Sequence, residues 1–193
     1  MEEDPMGSGY VLAKYIEPTT ELFTVGHGTL SSEEFVDLLT SVGTQVVIDV
    51  RSAPGSRRHP HFGRARMEQW LSKVDIGYYW EPDLGGYRRS VPGSVNTALR
   101  HPAFRGYADY MATSSFSRGL SRLLAIANSQ ITVAMCAETL WWRCHRRLIA
   151  DAAVLLAGAK VSHLDHHGKL SLHRVTEGAR STRVAGEMIL IYD

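Results

Sequence analysis

The stretch from Leu22 to Val50 leaves this chain few folds to choose from. Leu22-Phe23-Thr24-Val25 reads as a strand that ends at Gly26-His27-Gly28. Ser31 or Ser32 can cap a following helix, and Glu34 stands three positions after Ser31, as a capping box requires. Phe35, Leu38, Leu39 and Val42 form the apolar stripe of that helix, and Gly43 is its natural stop. Val46-Val47-Ile48, inside the segment Gln45 to Val50, is a short continuous apolar run, the pattern of a strand covered on both faces. Strand, helix and strand within about thirty residues make a βαβ unit, whose crossover is almost always right-handed.

The same alternation continues. Ser52-Ala53-Pro54-Gly55-Ser56-Arg57-Arg58-His59-Pro60 cannot be regular structure and reads as a loop at the carboxyl edge of the second strand. Patterning predicts a helix over 64–73, a short strand over 76–80, a loop at Pro82-Asp83-Leu84-Gly85-Gly86, and helices over 107–111 and 116–128. A buried strand over 130–135, a helix over 143–158 and a strand over 160–164 follow, and the chain ends in one or two edge strands or an extended tail. The expected fold is α/β: a three-layer sandwich with a mostly parallel sheet of about four to six strands flanked by helices, and short C-terminal edge strands. Residues 1–20, interrupted by Pro5, Gly7, Gly9 and Pro18, read as a flexible N-terminal arm, and 21–193 as a single domain.

Charge narrows the function classes only a little. The 21 basic and 20 acidic residues leave a formal charge of +1, so bulk charge favours neither a nucleic-acid binder nor an acidic solubiliser. No secretory signal precedes Gly9 and no apolar run is long enough to span a bilayer, which predicts a cytoplasmic protein without a membrane partner. Two cysteines, both in one motif, do not make a disulfide scaffold.

That motif runs from Met135 through Cys136, Glu138, Arg143, Cys144, His145 and Arg146 to Arg147, across a predicted strand-to-helix junction. In a parallel α/β sheet such junctions frame the crevice where ligands bind. Cys144 and His145 are expected to open the helix, where the helix dipole and nearby cations stabilise a thiolate. Cys136 fits a nucleophile, a resolving partner or a core residue. Glu138 fits a general base raised in pKa by partial desolvation, or the partner of Arg51, Arg146 or Arg147. His27 fits acid/base work or a hydrogen bond to a loop carbonyl. Asp49 and Arg51 share a side of their strand by alternation, so one can orient the other. Arg51, Arg57, Arg58, Arg64 and Arg66, with His145, Arg146 and Arg147 at a helix start, form a rim that would attract phosphate. Trp70, Tyr78, Tyr79, Trp80, Tyr87, Trp141 and Trp142 offer stacking faces, although such positions more often serve a core. The cysteine spacing lacks the Cys-x-x-Cys claw of structural zinc, so no metal site is expected. His163, His166 and His167, and likewise His59 and His61, read as solvated loop residues.

Taken together, Gly26-His27 before a capped helix, Asp49-Val50-Arg51-Ser52 before an arginine-bearing loop, Leu84-Gly85-Gly86, and Cys136-Ala137-Glu138 with Cys144-His145-Arg146 resemble the Domain of Unknown Function 488 family. The resemblance runs from about Leu22 to Arg180 and closes with His167-Gly168-Lys169-Leu170 and Thr176-Glu177-Gly178. Members more often carry Gly-His-Ser, so Gly28 leaves this chain without a hydroxyl there. The resemblance implies the fold and no particular activity or cofactor.

Three readings follow. The first is an enzyme that holds a phosphate-bearing ligand, a nucleotide or nucleic acid, with Asp49, Arg51, Arg57, Arg58, His145 and Arg146, and acts on it with Glu138, Cys136, Cys144 and His27. The second is a thiol redox or persulfide-handling protein that cycles Cys136 and Cys144. The third is a non-enzymatic nucleic-acid or partner-binding module. Cofactor and oligomeric state are not written in the residues.

Overall fold

A computed structural model describes residues 20–55 and 57–193; apart from buried Thr20, the segment read as a flexible arm lies outside the described residues. The expected βαβ unit is β1 (Glu21–Gly26), α1 (Ser32–Ser41) and β2 (Val46–Asp49). The capping box is complete: the Ser31 hydroxyl accepts from the Glu34 amide and the Glu34 carboxylate accepts from the Ser31 amide. The chain continues through α2 (Arg64–Ser72), β3 (Gly77–Trp80), α3 (Pro102–Met111), α4 (Ser114–Ala127) and β4 (Thr132–Cys136). It closes with α5 (Arg146–Ala157), β5 (Lys160–Leu164), β6 (Leu170–Leu172), β7 (Ala179–Val184) and β8 (Glu187–Tyr192).

Six strands form one sheet in the order β3-β2-β4-β1-β5-β6, all parallel except β6, which pairs antiparallel with β5. Period-two alternation sorts the strand side chains into two cores. Val25, Val47, Val133 and Met135 pack with Phe35, Leu38 and Leu39 of α1 and Met67 and Leu71 of α2. Leu22, Ile48, Ala134 and Cys136 pack on the other face with α3, α4 and α5. The result is the three-layer α/β sandwich.

Three elements depart from the pattern reading. Helix α3 begins at Pro102, with the His101 ring accepting from the Ala103 amide, rather than near Tyr107. Helix α5 begins at Arg146: Trp141–Arg143 form a short 3-10 turn and Cys144 is extended at φ −119°, ψ 152°, so Cys144 precedes the helix instead of lying in its first turn. The C-terminal segment builds β6 plus a separate β7–β8 hairpin, which sends Leu190 and Tyr192 into the α3–α5 core. That hairpin turns at Ala185-Gly186, both at positive φ (48° and 88°), and an alanine there gives none of the usual Asn-Gly signal.

Candidate active site

The connections leaving β1 and β4, neighbours in the sheet, depart to opposite faces. After β1 the chain crosses to β2 through α1; after β4 it crosses to β5 through α5 on the other side. A crevice opens between the carboxyl ends of two such strands. Gly26 is in register with Cys136, and the amides of His27 and Gly28 donate to the carbonyls of Cys136 and Ala137 at 2.9 and 3.0 Å. Glycine is required at 26, because a Cβ would fall 1.9 Å from the Glu138 carbonyl oxygen and 2.8 Å from a guanidinium nitrogen of Arg146.

The two sulfurs meet at the floor of this crevice, 2.7 Å apart, in residues only 2% (Cys136) and 4% (Cys144) exposed. Burial and the hydrogen bond to Cys144 push the Cys136 thiol up. Burial also opposes ionisation of Cys144, but the Cys136 S–H, His145 and Arg146 outweigh it and bring its pKa well below the usual thiol range. Cys144 is therefore the thiolate and Cys136 the thiol that donates to it. The Arg146 amide, first in α5, points at the Cys144 sulfur at 3.5 Å, and the Glu138 amide at the Cys136 sulfur at 3.3 Å.

His145 Nε2 lies 2.8 Å from the Val50 carbonyl, which can only accept, so Nε2 carries a proton, and Nδ1 faces Cys144 Sγ at 3.4 Å. Tyr107 covers the ring, and Gly86 lets the loop before α3 come against it, since a Cβ there would stand 2.4 Å from Nδ1. The Leu84-Gly85-Gly86 motif is thus a packing surface for the imidazole.

Asp49 and Arg51 form a buried pair. Arg51 Nε donates to the carboxylate at 2.8 and 3.1 Å, Tyr78 donates to it at 2.6 Å, and Arg51 Nη2 also donates to the Phe62 carbonyl. Arg51 Nη1 approaches His27 Nε2 at 3.4 Å. His27 donates from Nδ1 to the Gly28 carbonyl and stacks on Phe62 at 4.0 Å. Burial, then the Arg51 charge, lower its pKa to about 4, so the ring is neutral and engaged at both nitrogens.

A cavity of about 1190 Å³ opens above the sulfurs. Of the catalytic and ligand-holding residues of the first reading, His27, Arg51, Arg58, Cys136, Glu138, Cys144 and His145 line it, while Asp49, Arg57 and Arg146 do not. Asp49 is wholly buried and acts by fixing Arg51; Arg57 is exposed outside the cavity; Arg146 lies beneath the cysteines. Glu138 is exposed rather than partly desolvated, and its side chain meets none of the arginines expected to pair with it among the described residues. The cavity also recruits His59, Tyr87, His101, Phe104, Tyr107, Trp142 and Arg143. His101 and Phe104 fall in a stretch to which the pattern reading assigns no element; Pro102, in the first turn of α3, is the signal that could have marked it.

The second histidine cluster is mostly buried, not solvated. Thr24 Oγ1, His163 Nδ1, His163 Nε2, His173 Nδ1, His173 Nε2 and Asp151 Oδ1 form one chain of contacts at 2.7, 2.9 and 2.8 Å, and the Tyr192 hydroxyl donates to Asp151 Oδ2. His166 donates to the Gly26 carbonyl, His61 to that of Leu30, and only His167 of the 163–167 trio is exposed. Among the described residues, no group of three or more His, Cys, Asp or Glu is placed to hold a metal ion, and no helix is long and apolar enough to cross a membrane.

The family model described as "Domain of unknown function DUF488" matches residues 31–153, which include Asp49, Arg51, Gly85-Gly86 and the whole cysteine motif. No curated protein and no solved structure matches the chain.

Proposed function

The chain belongs to the DUF488 family, a domain of unknown function, and from the chemistry of the site we propose that it is an enzyme acting on a phosphate-bearing ligand, a nucleotide or nucleic acid, with Cys144 as nucleophile. The observation that carries this reading is the line from Cys144 Sγ to His145 Nδ1 at 3.4 Å and from His145 Nε2 to the Val50 carbonyl at 2.8 Å. A nucleophile, a base in reach of it and a group that orients the base are what covalent catalysis requires. The Cys144 thiolate, held beside His145, attacks an electrophilic centre of the ligand and expels the group bonded there.

The walls supply the rest. Arg51, Arg58 and Arg143 give the cavity three guanidinium groups against one carboxylate, Glu138, so its field favours an anion. Tyr87 and Trp142 are exposed and offer ring faces to a base. Glu138 delivers or removes a proton at the leaving group. Cys136 keeps Cys144 ionised by donating its S–H, and neutral His27 completes the wall beside Arg51.

Iodoacetamide labelling of Cys144 in reducing buffer, followed by intact mass, tests this with inorganic phosphate or a nucleoside monophosphate as competitor. The competitor is expected to slow labelling, and combining Arg58→Ala with Arg143→Ala to abolish that protection. If neither anion slows labelling at millimolar concentration, the reading fails.

A further inference from the structure

Arg146 is 1% exposed and has no carboxylate partner among the described residues. Its Nη2 donates to the carbonyls of Glu138 (2.5 Å) and Thr139 (3.4 Å), its Nε has no hydrogen-bond partner, and none of the ion pairs among the described residues includes it. A guanidinium stays protonated in a protein, and a buried one without a counter-charge is costly. The groups that face it are His163 on β5, which is neutral, and the sulfurs of Cys136 and Cys144. Among the described residues, the negative charge it faces comes from the sulfurs.

We infer that Cys136 and Cys144 form a reversible dithiol–disulfide couple which Arg146 holds toward the reduced, monothiolate form, so that the disulfide is a strong oxidant of other thiols. The couple needs a small-molecule disulfide as co-reactant, for which oxidised glutathione serves. The Cys144 thiolate attacks one of its sulfurs, forming a mixed disulfide and expelling one glutathione thiolate. Cys136 then passes its proton to the released glutathione thiolate and attacks the Cys144 sulfur, expelling the second glutathione thiolate. Two electrons have passed from protein to glutathione, and Arg146 has lost the anion it faced. Whatever stabilises the reduced form in this way raises the reduction potential. The inference is independent of any phosphate-bearing ligand.

The test equilibrates the full chain with glutathione buffers of graded reduced-to-oxidised ratio, quenches with acid and alkylating reagent, and reads the loss of two hydrogens by intact mass. The wild type is expected to oxidise only in buffers whose potential lies above the standard potential of the glutathione couple. Arg146→Met, which removes the charge, should raise the equilibrium constant for disulfide formation at least tenfold, about 30 mV. Arg146→Lys, which keeps it, should stay near the wild type. A wild type that never loses the hydrogens, or that oxidises as readily as Arg146→Met, overturns the inference. Should Arg146→Met fail to fold, a wild-type couple more reducing than glutathione overturns it alone. Anion protection of Cys144 is read separately, so either idea can fail without the other.

Discussion

His145 reaches Cys144 because Gly86 has no side chain, and the thiolate depends on that reach. Burial alone would keep Cys144 protonated; the Cys136 S–H, His145 and Arg146 together reverse the sign. His145→Ala is therefore expected to move the midpoint of Cys144 alkylation against pH upward and to slow alkylation near neutrality. Gly86→Ala should do the same more weakly by displacing the ring. Glu138→Gln should leave the midpoint in place, because that carboxylate is exposed. An unchanged midpoint in His145→Ala would remove the imidazole from the chemistry. Asp49 sets a different prediction: Asp49→Ala leaves the Arg51 guanidinium buried without its carboxylate, which costs about 3–5 kcal/mol when a buried pair is broken. Urea denaturation checks it, and a loss no larger than that of an ordinary surface change would refute it. Cys136, Cys144 and His145 stood out in the sequence because rare reactive types were adjacent. Arg146 was read as a phosphate holder and its place beneath the sulfurs was missed, since a sequence gives the position of an arginine and not the side of the chain on which its charge is balanced.

Strands and helices whose periodicity was strong could be read directly, and those built on turn geometry could not. The apolar run of β2 and the capped stripe of α1 specified a parallel crossover, and with it the crevice where β1 and β4 end. The segment 87–101 carries no regular element, and the β7–β8 hairpin turns on an alanine at positive φ, so neither left a pattern. Two substitutions separate local helix stability from the shape of the crevice. Ser31→Ala removes the α1 cap and is expected to cost about 1 kcal/mol, with Cys144 alkylation unaltered. Gly26→Ala drives a methyl group into the Glu138 carbonyl, so the β4–α5 connection must shift, costing about 1–3 kcal/mol and slowing alkylation. If both variants alkylate at the wild-type rate, the connection does not set the geometry of the sulfurs.

The family match ends at residue 153, yet the chain beyond it closes the back of the site. His166 holds the Gly26 carbonyl, and His163 stacks on Trp141 at 4.0 Å. Through His173, Asp151 and Tyr192, the same relay ties β5 and β8 to α5. The relay has a consistent direction: with Asp151 ionised, each histidine donates from Nε2 and accepts at Nδ1, and Thr24 donates at the far end. Protonating His163 would break that direction and set a second cation beside Arg146; burial first, then the neighbouring His173 ring and the Arg146 charge, lower its pKa to about 3. His27 is lowered to about 4 for parallel reasons. On unfolding, both return toward the ordinary imidazole value, so below about pH 6.5 the unfolded chain binds more protons than the folded one. Their contribution is complete above that value and is lost as pH falls toward the folded pKa values. Each histidine adds at most about 1.4 kcal/mol per pH unit to the slope. Urea denaturation between about pH 7 and pH 5 should therefore show stability falling with acidification, and His163→Gln, though less stable throughout, should show a shallower fall. Equal slopes in the two proteins would mean that His163 is not the group whose protonation opens the relay.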